Sequence, residues 1–452
     1  MLKQKNINML EGPLFFSVIR YTIPIILTNA FQLLFNAADV IVVGRFCGSV
    51  SVAAVGSTTS LIHLITNLFI GLSIGCGITA AQSLGAGTKE KTKRIVHTAL
   101  PIALLCGVII TVAGIVGAEF FLKLMSTPSD ILKLASLYLK IYFLGITSTM
   151  VYNFCAAILR AVGDTKSPLM FLTLSGFLNV VLNLIFVIVF RLDVAGVAIA
   201  TAVSQTLAAI LSVLALIKID GPCKLTVKAI KIYKSEFWEF LRIGIPAGIQ
   251  SCTFSFSNVI IQSSINSLGT AVVAGNSAAQ NIDHFLNTAT DAFHQTALNF
   301  TGQNIGIKNY KRAASIFKIC NVCSVLCTIA AGSLLTLFAK PLLSIYITDS
   351  PDAIAIGVIR ITVLGLTYFI GAYMQTTSGA LRGMGISFTP MLVSILGVCG
   401  IRILWIYTVF QIPAFHNVTT IYASYPVTWI ITGIAQTILY FIIIKKRQRQ
   451  SN

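Results

Sequence analysis

Ile95-Val-His-Thr-Ala-Leu-Pro-Ile-Ala-Leu-Leu-Cys-Gly-Val-Ile-Ile-Thr-Val-Ala-Gly-Ile-Val-Gly-Ala118 contains no Asp, Glu, Lys or Arg. A helix of about 20 apolar residues, rising 1.5 Å per residue, crosses the hydrocarbon core of a bilayer. Lys89, Lys91, Lys93 and Arg94 flank the stretch on one side, and Glu119 and Lys123 close it on the other. Segments of the same character lie at 21–43, 53–83, 135–158, 168–190 and 194–217. Six more follow at 243–266, 270–301, 313–339, 354–380, 389–411 and 420–444, which makes twelve in all. Strands of a membrane barrel would be about ten residues long with strict alternation, and these segments are neither. Open sheet edges cannot face lipid, so helices remain. The fold class is an all-α polytopic membrane protein.

Composition excludes the soluble classes. The chain is 56% hydrophobic and 10% charged, with a mean hydropathy of +0.87. A soluble globular chain carries about 25% charged residues. The net charge of +18 would suggest nucleic acid in a soluble protein, but its placement argues otherwise. With the amino terminus taken as cytoplasmic, 24 of the 32 Lys and Arg fall on the cytoplasmic side. Seven, Arg360 among them, fall on the opposite side, and Arg402 lies inside a span. That bias places both termini in the cytoplasm of a multi-pass protein of the inner (plasma) membrane, with an even number of spans. The excess charge is then topological, and no nucleic-acid partner is implied. The run 21–43 is too long for a signal-peptide core and reads as the first span. Cys320, Cys323 and Cys327 share a helix face in apolar surroundings, which reads as packing. Gly71-x-x-x-Gly75 reads as close helix packing. No Walker motif, H-E-x-x-H or G-x-S-x-G is present, so ATP drive and the common hydrolytic sites lack support.

The longest polar connection, 218–242, sits mid-chain and invites a search for duplication. Arg20-Tyr-Thr-Ile-Pro24 matches Arg242-Ile-Gly-Ile-Pro246 at a shift of 222 (242 − 20). Gln82-Ser-Leu-Gly85 matches Gln303-Asn-Ile-Gly306 at 221, and Leu159-Arg-Ala-Val-Gly163 matches Leu381-Arg-Gly-Met-Gly385 at 222. Three anchors at a common offset indicate two related halves. The expected organisation is a six-helix lobe over 1–217, a cytoplasmic connection over 218–242 and a second six-helix lobe over 243–452. Six is even, so both halves start on the same side and a pseudo-twofold axis should run along the membrane normal.

Burial in a membrane makes polar side chains informative, because an ionised group at mid-bilayer costs about 3 kcal/mol on insertion scales. On the first helix, Asn29, Gln32, Asn36 and Asp39 fall within an arc of roughly 80°, a polar stripe headed by a carboxylate suited to a cation or proton. Asn179 and Asn183, one turn apart on the fifth helix, can supply amide oxygens near Asp39, and Thr201 on the sixth a hydroxyl. The eighth helix carries Gln280, Asp283, His284, Asn287, Asp291 and His294 within roughly 100°, which suits a hydrated substrate or proton pathway. Asn258 and Gln262 extend a milder stripe on the seventh. Arg402 needs a partner, expected to be a carboxylate or carbonyl.

Pro24 followed by Asp39-Val-Ile-Val-Val-Gly-Arg45, Gln82-Ser-Leu-Gly-Ala-Gly87, Leu159-Arg-x-x-Gly-Asp-Thr with Pro168, and Phe300-Thr-Gly-Gln-Asn-Ile-Gly306 resemble the multidrug and toxic compound extrusion (MATE) family. The likeness spans essentially the whole chain. It implies export of small organic, often cationic, compounds by antiport with H+ or Na+. The favoured mechanism is alternating access, and the chain is expected to act as a monomer in membrane lipid with no cofactor beyond the transported ion. Some members of the family carry an acid where Asn183 stands here. The alternatives are a lipid-linked glycan flippase, which would show extra helices or a basic cavity, and a membrane-embedded metal-dependent enzyme built on the Asp/His stripe of the eighth helix.

Overall fold

The computed structural model describes residues 7–125, 127–347 and 350–451, and every regular element among them is helical. The first half contains α1 (Leu14–Phe46), α2 (Ser49–Gly85), α3 (Lys89–Leu124), α4 (Ser129–Val162), α5 (Lys166–Leu184) and α6 (Asp193–Lys218). The second contains α7 (Lys234–Asn266), α8 (Thr270–Gly306), α9 (Tyr310–Leu337), the short α10 (Ala339–Tyr346), α11 (Pro351–Gly383), α12 (Phe388–Ser394), α13 (Ile401–Tyr407) and α14 (Val418–Ser451). A π-helical turn over Ile185–Val189 prolongs α5, and another over Ile395–Gly400 joins α12 to α13. With α12, its π turn and α13 taken as one span, each of the twelve apolar segments is one long helical element.

Among the described residues, ten of these elements are long and apolar enough to cross a membrane by length and composition. The other two long helices are α7 and α8, whose Ser, Thr, Asn and Gln residues dilute their apolar stretches. Two of the repeated anchors end helices by the same device. Gly163 closes α4 at φ +96°, and Gly385 follows α11 at φ +80°. Both lie in the left-handed region that glycine enters without a Cβ clash, so the repeat preserves a stop signal.

The described chain forms two compact units, one of Met1–Asn8 with Ile23–Gly248 and one of Met9–Thr22 with Ile249–Asn452. In the first, α4 packs on α2, α3 and α6, and α5 lies against α6. In the second, α11 plays the same part against α8, α9 and α14. Both α1 and α7 contribute to each unit, and the division falls close to Pro24 in one and Pro246 in the other. The start of α1 is held in the second unit: Tyr21 meets the Phe300 ring edge-on at 5.2 Å, and Thr22 shares a 2.8 Å hydrogen bond with Thr296. Just ahead of it, Arg312 donates to the Met9, Glu11 and Gly12 carbonyls. The start of α7 is held in the first unit. A Cβ on Gly71 would lie 2.5 Å from the Gly244 carbonyl, so Gly71 and Gly75 let α2 meet Gly244 and Gly248 backbone to backbone.

One of the arginines counted in the charge bias is buried. Arg360, counted on the outer side from sequence, stands in the third turn of α11 and is 5% exposed. A guanidinium is retained there because a carboxylate meets it, as described below. Lys3 and Lys5, counted on the cytoplasmic side, lie outside the described residues.

Candidate functional site

Spacing on three helices of the first unit builds a polar cavity. Gln32, Asn36 and Asp39 recur at intervals of four and three and so share one face of α1 with Phe35. Ser175, Gly176 and Asn179 do the same on α5, and Thr201, Ser204 and Gln205 on α6. Together with Leu172 they line a cavity of about 40 Å³. That volume suits one or two waters or a small ion. Gly176 permits the approach of α1, since a Cβ there would stand 2.0 Å from the Phe35 ring.

The hydrogen bonds converge on the carboxylate. Asn183, fully buried one turn beyond Asn179, donates to Asp39 Oδ1 at 2.5 Å and to Asn179 Oδ1 at 3.3 Å. Asn179 in turn donates to Thr201 Oγ1 at 3.3 Å. The Thr201 hydroxyl donates to the Val197 carbonyl at 3.0 Å, so its oxygen keeps acceptor capacity. The Asn183 and Gln205 side-chain carbonyls are buried acceptors without a donor. Among the described residues no Lys or Arg comes within 4.0 Å of Asp39. A carboxylate, spare amide carbonyls and a hydroxyl form an all-oxygen donor set suited to a hard cation or a proton. The π turn directly after Leu184 lies next to this cluster, a common position for such an irregularity near a working site.

The second unit holds a cluster of different character. Arg360 Nε donates to Asp283 Oδ2 at 2.9 Å, and its Nη1 donates to Asn276 Oδ1 at 2.7 Å. The Tyr422 hydroxyl donates to the same Asn276 oxygen at 3.2 Å, and Asn276 Nδ2 reaches Gln262 Oε1 at 3.2 Å. The Arg360 guanidinium lies 5.5 Å from the Tyr422 ring centre and 5.9 Å from that of Tyr425. The Arg402 guanidinium lies 4.1 Å from the centre of the Tyr425 ring and donates to Thr428 Oγ1 at 3.2 Å. Its partners are therefore an aromatic face and a hydroxyl, where the sequence suggested a carboxylate or carbonyl.

The proposed stripe on α8 divides. Asp283 is buried in the charge cluster, while His284, the next residue, is exposed. Asn287 accepts from the Tyr368 hydroxyl at 3.5 Å, Asp291 is half-buried, and His294 Nδ1 meets the Gln375 carbonyl at 2.8 Å. Gln262 joins the cluster through Asn276, whereas Asn258 is exposed. The residues the sequence reading missed are Asn276, Arg360, Tyr422 and Tyr425 in this unit, and Ser175, Ser204 and Gln205 in the first. Asn276 carried a signal, since it lies seven residues before Asp283 on the same face of α8. Arg360 carried one too, as a basic residue inside an apolar segment.

The repeated halves and this site can be set against known proteins. The model of the MatE family matches residues 24–185 and 246–408, two blocks that begin 222 residues apart (246 − 24). This chain belongs to the MatE family. It is 29% identical over 405 residues to the "Probable multidrug resistance protein YpnP" of Bacillus subtilis, covering 88% of this chain and 89% of that protein. It is 24% identical over 392 residues to the "Probable multidrug resistance protein NorM" of Thermotoga maritima, covering 85% and 83%. Among solved structures, an outward-facing multidrug resistance MATE family transporter superposes with a TM-score of 0.91 at 21% identity, covering 99% of this chain and 100% of that one. Membership makes the chain a polytopic membrane transporter of small molecules, and the all-helical fold agrees with it.

Proposed function

We propose that this MatE protein exports small organic compounds, cationic ones among them, from the cytoplasm by antiport with H+ or Na+ bound at Asp39. It works as a monomer in the plasma membrane, with both termini cytoplasmic and no cofactor beyond the coupling ion. The observation that carries the reading is the oxygen cage of Asp39, Asn179, Asn183 and Thr201 beside a small polar cavity. A carboxylate in the apolar part of a membrane, with amides but no basic partner among the described residues, favours capture of a cation or proton. Entry of that cation lowers affinity for the exported molecule, and loading of the molecule from the cytoplasm favours its release. Linkage makes the two effects equal. The names borne by the relatives, multidrug resistance proteins, agree with this substrate class. Membership of the MatE family favours the transporter reading over a metal-dependent enzyme on α8.

The test is efflux of a fluorescent organic cation from proteoliposomes under separately imposed Na+ and H+ gradients. Transport should follow one of them, and Asp39→Asn should abolish that dependence. Indifference to both gradients would remove the antiport reading. A wild-type response in the variant would remove the site.

A further inference from the structure

The charge cluster of the second unit does not balance. Arg360 and Arg402 are both buried, and both lie against the Tyr425 ring, but the carboxylate of Asp283 is engaged by Arg360. Among the described residues no carboxylate lies within 4.0 Å of Arg402. Farther along, Arg382 and Asp291 add one charge of each sign, so a surplus of one positive charge remains. Lone buried cations are unfavourable, and such groups find a counter-charge or face a wet cavity.

The guanidinium is also oriented. Stacking on Tyr425 covers a face of its plane, and the bond to Thr428 holds one end. Thr428 in turn donates to the Ser424 carbonyl at 2.8 Å, so it positions Arg402 and has no proton to spare. Arg402 Nε–H is buried with no acceptor, as is the hydroxyl of Ser257 on α7, itself 1% exposed. Cys399 links the two: its thiol donates at 3.5 Å to the carbonyl of Thr253, one helical turn before Ser257, and it stands three residues before Arg402. A cation with an open N–H edge and an idle hydroxyl nearby make a donor set with nothing to accept from it.

We propose that Arg402 and Ser257 form an anion-binding site in the second unit, taking one singly charged anion, a halide or the carboxylate of an organic acid. The charge balance selects the valence. One negative charge neutralises the cluster, whereas a dianion would leave a buried negative surplus. The site is chemically opposite to the cage around Asp39 and does not depend on the antiport reading.

Binding is measured on purified protein in nanodiscs without any gradient, so its failure leaves the antiport reading standing, and the reverse. Sodium bromide and sodium benzoate are titrated calorimetrically against a sodium sulfate background of constant ionic strength. Saturable bromide binding that benzoate competes away marks a site open to small anions from solution. Saturable benzoate binding without bromide binding marks the carboxylate of a transported molecule. Binding of neither overturns the proposal. Arg402→Gln should weaken binding at least about tenfold, and Arg402→Lys should retain part of it, because the charge stays while the planar fork is lost. Ser257→Ala should weaken it a few-fold. An Arg402→Gln protein that binds with unchanged affinity overturns the proposal. Should that variant fail to fold, bromide-soaked crystals of the wild type decide: an anomalous peak in contact with Arg402 supports the site, and peaks only elsewhere overturn it.

Discussion

Asp39 and Asp283 are both carboxylates in long membrane helices, one in each of two related halves, and their surroundings are opposite in kind. Asp39 meets Asn183 and a cavity lined by amides and hydroxyls. Asp283 meets the guanidinium of Arg360, with Asn276, Tyr422 and Tyr425 around it. The repeat supplies a related scaffold twice, and the residues placed on it differ. At a shift of 222, Asp39 falls on Ile261, and at 222 or 221 Asp283 falls on Leu61 or Ile62 respectively. Arg360 falls on Tyr138 or Leu139, so neither charge of the second unit has a counterpart in the first. One unit leaves its carboxylate without a basic partner among the described residues. The other neutralises its acid internally and carries the surplus positive charge.

That contrast can be broken in several ways, and the largest effect should come from the second unit. Arg360→Leu leaves Asp283 buried and unpaired, which should cost about 3–5 kcal/mol of stability. Thermal unfolding in detergent reads the loss, and Asp283→Leu in the same chain should restore most of it. A single variant as stable as the wild type would mean that Asp283 does not need its partner. In the first unit, Asp39→Asn removes charge without removing bulk. Cation affinity should fall about a hundredfold, the factor that about 3 kcal/mol of charge-assisted contact carries. Ion titration of gradient-free protein measures it. Asn183→Asp works in the other direction. A second carboxylate in the cage should tighten Na+ binding about tenfold relative to the wild type, an increment of about 1.4 kcal/mol. Unchanged binding would place Asn183 outside the coordination sphere. Thr201→Val keeps the shape and deletes one oxygen, so a loss of about two- to fivefold in cation affinity is expected, corresponding to roughly 0.5–1 kcal/mol.

Much of the first site was legible in the sequence because its members repeat at helical spacing within apolar segments. Asn36, Asp39, Asn179, Asn183 and Thr201 stand out wherever polar groups are rare, and the structure brings them together. Asn183 shows how local the signal was, since its spacing from Asn179 predicted a shared face and nothing about Asp39, 144 residues away. The second cluster was harder to see. Arg360 lies close enough to the start of its helix to pass for a residue at the membrane surface, and only the structure shows it buried beside Asp283. The stripe on α8 was real as a pattern, but Asp283 and His284 are neighbours in sequence and point to different surroundings.

Sequence alone determined the class of the protein, its twelve helical spans and the relation between its halves. Hydrophobic length, charge placement and offset matches are all properties of a linear chain, and a bilayer leaves such segments no other structure. Tertiary structure decided which carboxylate stays available and which is neutralised. An ion pair depends on the distance between side chains carried by different helices, and that distance is set by how α8 packs on α11, or α1 beside α5, which no spacing along one helix contains.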